Sequence, residues 1–160
     1  MMRAISIGAM LIFASSVFAQ SIYSGTFDYT KAEPATKYFS GKSLSDIDSY
    51  CKTDSLPTEE AWQCSHFHFE HANAALNRQV AVVAAELKKN DRELKADGYP
   101  LALPYFNKAQ QDWQSFRDSE CYSDTYSLGQ ASMRYMVFWD CMTRITKSRL
   151  DELTKPDADD

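Results

Sequence analysis

The sequence predicts an all-α protein, a small up-down bundle of about three long helices stapled by two disulfides. Three observations predict it. Apolar residues recur at three-and-four spacing through most of the chain after Thr58. No segment has the length and alternation of a convincing strand, and no 20-to-50-residue repeat is visible. Four cysteines, an even number, follow a leader of the kind that directs export to an oxidising compartment.

That leader is residues 1–19: Arg3 gives a positive start, Ile5 to Phe13 an apolar centre, and Val17, Phe18 and Ala19 a small-residue cleavage site before Gln20. The apolar centre is too short for a membrane span, which takes about 20 residues. The expectation is a periplasmic or secreted product of 141 residues with Gln20 at its N-terminus and no cysteine there for a lipid anchor. Such a length suits one domain. Loss of Arg3 with the leader takes the net charge from −5 to −6, which disfavours nucleic acid and anionic membranes and is compatible with a cationic protein partner.

Residues 20–50 read as an extended or partly disordered lead-in, because Gly25, Pro34 and Gly41 interrupt any period. Thr58 then reads as the cap of the first long helix, with Glu59 and Glu60 set against the positive end of its dipole. Its stripe is Ala61, Cys64, His68, Ala72, Ala75, Leu76, Val80, Val83, Leu87 and Leu94, and it ends near Gly98. The strand-like alternation from Ser65 to His71 is too short to displace that period. Pro104 opens a second helix with Phe106, Ala109, Trp113, Phe116 and Glu120 at helical spacing and Cys121 near its end. After the turn at Gly129, a third helix carries Met133, Val137, Cys141, Ile145 and Leu153. Tyr135, Met136, Phe138 and Trp139 widen that arc enough to predict burial on more than one side. Residues 154–160 read as a disordered acidic tail.

The cysteine gaps of 13, 57 and 20 contain no Cys-x-x-Cys pair, so disulfides are expected rather than zinc. In an up-down-up bundle the end of the second helix returns to the start of the first, which predicts Cys64–Cys121. Cys51, seven residues before Thr58, can reach ~20 Å along the bundle. That predicts Cys51–Cys141 as the second bond.

His66, His68 and His71 are the three histidines. His68 and His71 stand three apart and could share an ion with Glu70, but the His-Glu-x-x-His pattern is missing, so no metal is expected. They read as surface histidines with His68 partly buried. Trp113, Arg117, Asp118 and Glu120 form the densest mix of ring and charge, with Arg117 and Glu120 spaced to pair. As a binding patch they would supply interface anchors. As structure, Trp113 and Phe116 would be core while Arg117 ties a helix end. No nucleophile elbow, phosphate-cradling loop or dinucleotide fingerprint occurs, so neither catalysis nor a cofactor is expected.

The order Cys64, Ala72-Asn73-x-x-Leu76-Asn77, Ala109-Gln110-x-x-Trp113-x-x-Phe116-Arg117-Asp118-x-Glu120-Cys121 and Cys141-x-Thr143-x-x-Thr146-x-x-Arg149 resembles the LprI-like family of small exported bacterial proteins. The resemblance runs from Cys51 to Leu153, with Asn73 standing where the family usually has Asp. It implies a helical, disulfide-linked exported domain over residues 51–153. The family takes its name from a lipoprotein described as a lysozyme inhibitor, which implies a protein partner such as a cationic lysozyme or another cell-wall hydrolase. The alternative is a structural or envelope-stress module without a hydrolase target. An exposed aromatic and acidic patch would favour the inhibitor.

Overall fold

The computed structural model describes residues 27–155. The expected leader with its cleavage site, residues 20–26 of the lead-in and residues 156–160 of the tail lie outside the described residues. The chain divides into two units, Met1–Ala32 and Glu33–Asp160. The described part of the first is a 3-10 turn, Tyr29–Lys31, whose N-terminal Asp28 accepts from the Thr30 N–H at 3.1 Å.

The described residues of the second unit form five helices: α1 (Ala35–Tyr38), α2 (Leu44–Tyr50), α3 (Thr58–Ala96), α4 (Leu103–Ser127) and α5 (Arg134–Thr154). No strand occurs among the described residues, and none of their helices is long and apolar enough to cross a membrane. The all-α class and the three long helices are as the spacing predicts.

The first two helices correct the extended reading of the lead-in. Short helices leave no period to read, yet α2 has a local signature: Ser43 accepts from the Asp46 N–H at 3.2 Å while Asp46 accepts from the Ser43 N–H at 3.2 Å, a reciprocal capping box. Ala35, Phe39 and Ile47 from this segment are buried with Cys64 and Phe67 of α3. The Ala35 N–H donates to both carboxylate oxygens of Glu70, at 3.3 Å each, and the Tyr50 hydroxyl donates to Glu60.

The first long helix begins one residue earlier than a Thr58 cap requires. Pro57 takes the cap position without a side-chain hydrogen bond, and Thr58 is the first helical residue. Glu59 and Glu60 do lie in the first turn. At the other end Gly98, with φ +76°, takes the left-handed position after the helix. The Tyr99 N–H reaches the Leu94 carbonyl at 3.1 Å, and the Gly98 N–H reaches Lys95 at 3.3 Å. The turn that follows is pinned by Asp91. Its carboxylate, buried on α3, accepts from the N–H groups of Ala102 and Leu103 at 2.8 and 3.0 Å and so caps α4 from a residue eleven positions upstream.

The third long helix is central. It packs on both α3 and α4, whereas α3 and α4 touch each other far less. Its buried residues, Tyr135, Phe138, Trp139, Cys141, Met142 and Ile145, span the wide arc read from the sequence. Trp62 stacks on Tyr135 with ring centres 5.5 Å apart, and Phe69 lies 5.3 Å from Trp139. Farther along, Gln79 donates to the Leu153 carbonyl at 2.8 Å. These pairings make α3 and α5 parallel, with α4 antiparallel between them in sequence.

Both disulfides form, with partners other than those expected. Cys51 bonds Cys64, tying the end of α2 to the start of α3, and Cys121 bonds Cys141, tying α4 to α5. Cys64–Cys121 and Cys51–Cys141 do not form, because Cys64 faces the α1–α2 cluster and Cys121 faces α5. Distance along the bundle axis allowed the long pairings; the facing of each helix decides for the local ones.

Candidate functional site

Two helices build a cleft from one spacing. On α3, Asn73, Leu76, Asn77 and Val80 fall at i, i+3, i+4 and i+7, and on α4 Gln110, Trp113, Gln114 and Arg117 do the same. That interval keeps four side chains on one face of a helix. Together with Gln111 they line a cleft of about 200 Å³.

At the cleft wall Arg117 is only 2% exposed. A buried guanidinium is costly unless its charge and its donors are matched. Its Nε and Nη2 donate to Asp118 Oδ1 at 2.9 and 2.8 Å, while Nη1 lies 3.3 Å from both Asn73 Oδ1 and Thr146 Oγ1. The same cation stands 5.1 Å from the centre of the Trp113 ring and 5.4 Å from that of Phe69. One side chain of α4 thereby binds α3 and α5, and Gln110 adds a second tie by accepting from Arg149 Nε at 3.0 Å.

The residues read as one binding patch therefore separate. Trp113 and Arg117 turn inward to the cleft, Asp118 is half-buried and serves Arg117, and Glu120 is exposed on the outer side. Arg117 pairs with Asp118 rather than with Glu120. Phe116, expected in the core beside Trp113, is 57% exposed. The buried stripe of α4 runs through Phe106, Gln110, Trp113, Arg117 and Cys121, about 100° around the helix from Phe116. On the outer face Tyr105, Asp112 and Glu120 lie within about 40° either side of Phe116, and Tyr105 is 75% exposed. That face combines rings with carboxylates on the solvent side.

The histidines also separate. His66 is buried and stacks on Trp139 with ring centres 3.9 Å apart, which corrects its reading as a surface residue. Burial lowers its pKa from 6.5 to about 4, so at neutral pH it faces Glu70, 3.5 Å away, as an uncharged ring. Burial raises the Glu70 pKa, with the Ala35 N–H acting against that shift. His68 is half-buried as expected and His71 is exposed. No group of three or more metal-ligating side chains is gathered among the described residues.

Two positions that the sequence offers only as part of the family pattern, with no role attached, are Asn73, which accepts from Arg117, and Gln110, which accepts from Arg149. Their i+4 and i+3 partners were visible in the spacing. Amides at half-buried helical positions, where apolar residues would be expected, were the available signal.

A family model described as lysozyme inhibitor LprI matches residues 51–153. An uncharacterized protein of Rhizobium meliloti (strain 1021) is 30% identical over 92 residues, which make up 56% of this chain and 66% of that protein. The chain thus spans slightly less than two thirds of that relative's length. No solved structure matches the chain.

Proposed function

From the premise that this chain belongs to the LprI family, we propose that it is an exported cell-envelope binding protein that inhibits a lysozyme-type peptidoglycan hydrolase by stoichiometric contact, without turnover. The observation that carries the reading is the outer face of α4. There Tyr105 and Phe116 stand exposed beside Glu120 and beside Asp112, which pairs with Lys108 Nζ at 2.8 Å, on a chain of net charge −5. Exposed rings flanked by carboxylates suit a cationic protein surface: the charges speed encounter and the rings set the lifetime of the complex. Both disulfides accord with work in an oxidising compartment.

Inhibition by contact has two signatures. Lysis of purified peptidoglycan should stop at a fixed ratio of protein to hydrolase, and the inhibition should weaken as salt rises. Titration against several lysozyme types at low and high salt tests both. If no lysozyme is slowed at micromolar protein, the hydrolase target is wrong.

A further inference from the structure

The three long helices end at different levels. Gln79 of α3 donates to the Leu153 carbonyl near the end of α5, yet α3 continues to Ala96. At 1.5 Å per residue this carries α3 ~25 Å past that contact, with the start of α4 held back against it by Asp91. The far end of the α3–α4 hairpin therefore packs without α5, and its composition departs from the rest of the chain in two ways. Residues 99–106, which join the helices and open α4, are two prolines, two leucines, an alanine and three rings, with no charge and no amide. Surface connections are ordinarily polar. Here Tyr99 is 61% exposed and Leu94, in the last turn before it, 38%. The second departure is charge. Lys88, Arg92 and Lys95 fall at i, i+4 and i+7 on α3, and Lys89 stands beside that stripe. All four are exposed, and among the described residues none pairs with a carboxylate. Of the carboxylates nearby, Asp91 is buried on the α4 N–H groups, while Glu86 and Glu93 lie about 100° or more around the helix from the stripe, leaving Asp97 at the end itself. A chain of net charge −5 thus has a cationic end.

Simpler partners use only half of this surface. A soluble polyanion would engage the cations and leave Tyr99 and its apolar neighbours in water. A second copy would present the same cations, and like charges repel. An anionic bilayer takes both, since tyrosine rings settle at the headgroup level and basic side chains beside them are drawn by the surface potential. The dimensions agree. The headgroup layer is about 5–7 Å deep. Lys95 and Arg92 lie within ~6 Å of the last residue of α3, and Lys88, ~12 Å from it, stays within a Debye length of about 8 Å of that layer. We propose that the far end of the α3–α4 hairpin is a peripheral docking surface for an anionic lipid bilayer, with Tyr99 and the apolar connection seated at headgroup depth and Lys88, Lys89, Arg92 and Lys95 facing the lipid phosphates. The negative net charge, which disfavours anionic membranes, describes the chain as a whole and not this end. The docking surface does not rest on hydrolase inhibition; Tyr105, which borders both surfaces, stays native in its test.

Co-sedimentation of the oxidised chain from Gln20 with lipid vesicles tests the surface, the leader being left off because its apolar centre would bind lipid by itself. The chain should bind phosphatidylcholine vesicles that contain about 30% phosphatidylglycerol and not vesicles of phosphatidylcholine alone, and the binding should weaken as salt rises. Lys88→Gln, Arg92→Gln and Lys95→Gln in one chain should weaken it at least about tenfold, since each cation near the surface contributes about fivefold. Tyr99→Ser should weaken it about threefold or more. Arg78→Gln, at an exposed cation of the same helix ~27 Å from its end, should change nothing. All these positions are exposed, so each variant should keep the native thermal midpoint. No binding to the anionic vesicles, or an equal loss with Arg78→Gln, would overturn the proposal. Full binding by Tyr99→Ser would leave a soluble polyanion as the partner, and pelleting without vesicles a second copy; either result overturns the bilayer.

Discussion

The two faces of α4 carry the same kinds of side chain, rings and charges, and put them to different ends. On the inner face Arg117 is enclosed by Asp118, Asn73, Thr146 and the Trp113 and Phe69 rings, so its charge is spent on joining three helices. On the outer face Phe116 and Glu120 meet solvent. Residue type does not fix facing on a helix: an arginine takes the core position when its charge and donors are matched, and a phenylalanine is left outside. A face so composed has its apolar surface available for a partner rather than for the fold.

The difference should be largest in stability. Arg117→Met removes one member of a buried ionic network and leaves Asp118 without its counter-ion, which should cost about 3–5 kcal/mol in urea unfolding. Phe116→Ser, one residue earlier, should change stability by only about 0.5 kcal/mol. If Phe116→Ser is the more damaging, the assignment of faces is reversed.

Next comes the bond that ties the inner face of α4 to α5. Replacing Cys121 and Cys141 together by Ala opens a loop of 20 residues and should lower stability by about 3 kcal/mol. The Cys51 and Cys64 pair, closing 13 residues, should cost a similar amount. Non-reducing peptide maps should show these two bonds and not Cys64–Cys121.

Acid should act on the same packed side of the molecule. His66 is held neutral, with a folded pKa of about 4 against an ordinary 6.5, so the unfolded chain binds the proton more readily between those values. Its contribution is complete above about pH 6.5 and is lost as the pH falls toward 4, to a limit of ~3 kcal/mol. The raised Glu70 pKa has the opposite sign, favouring the fold at acid pH and losing that effect as the pH rises through its folded value, so it offsets part of the loss. His66→Phe keeps the ring against Trp139 and should flatten the decline in thermal midpoint below pH 6.5; an unchanged slope would remove His66 from the account.

A smaller effect is expected where the cap crosses the turn. Asp91→Ala should cost about 1 kcal/mol and speed amide exchange at the start of α4, while the end of α4 near Cys121 keeps its protection.

Much of this was legible in sequence. Three-and-four spacing located α3, α4 and α5, and Gly98 located the end of the first of them. What spacing does not carry is the rotation of each helix about its axis. For α5 the apolar arc is so wide that rotation hardly matters, and its burial on two sides was readable. For α4 the arc through Trp113 and Phe116 suggested one face, while Arg117, Gln110 and Thr146 chose another through hydrogen bonds to side chains on other helices. The same ignorance of facing misassigned both disulfide partners and put His66 on the surface. Residues 35–50 were missed for a different reason, since helices of four and seven residues show no period, though Ser43-x-x-Asp46 was a readable start signal. The Asp91 cap was out of reach, because it lies a whole turn of chain before the helix it caps.

Whether the outer face of α4 meets a cationic hydrolase is tested most directly by a paired titration of lysozyme-catalysed peptidoglycan lysis with the native protein and with a Phe116→Ser, Glu120→Lys double variant. Both substitutions are at exposed positions, so the variant should keep the native thermal midpoint. The native protein should reach a fixed stoichiometric end point at low salt, and at least about tenfold more variant should be needed for the same inhibition. Equal inhibition by the two proteins, or lysis unaffected by either, would contradict it.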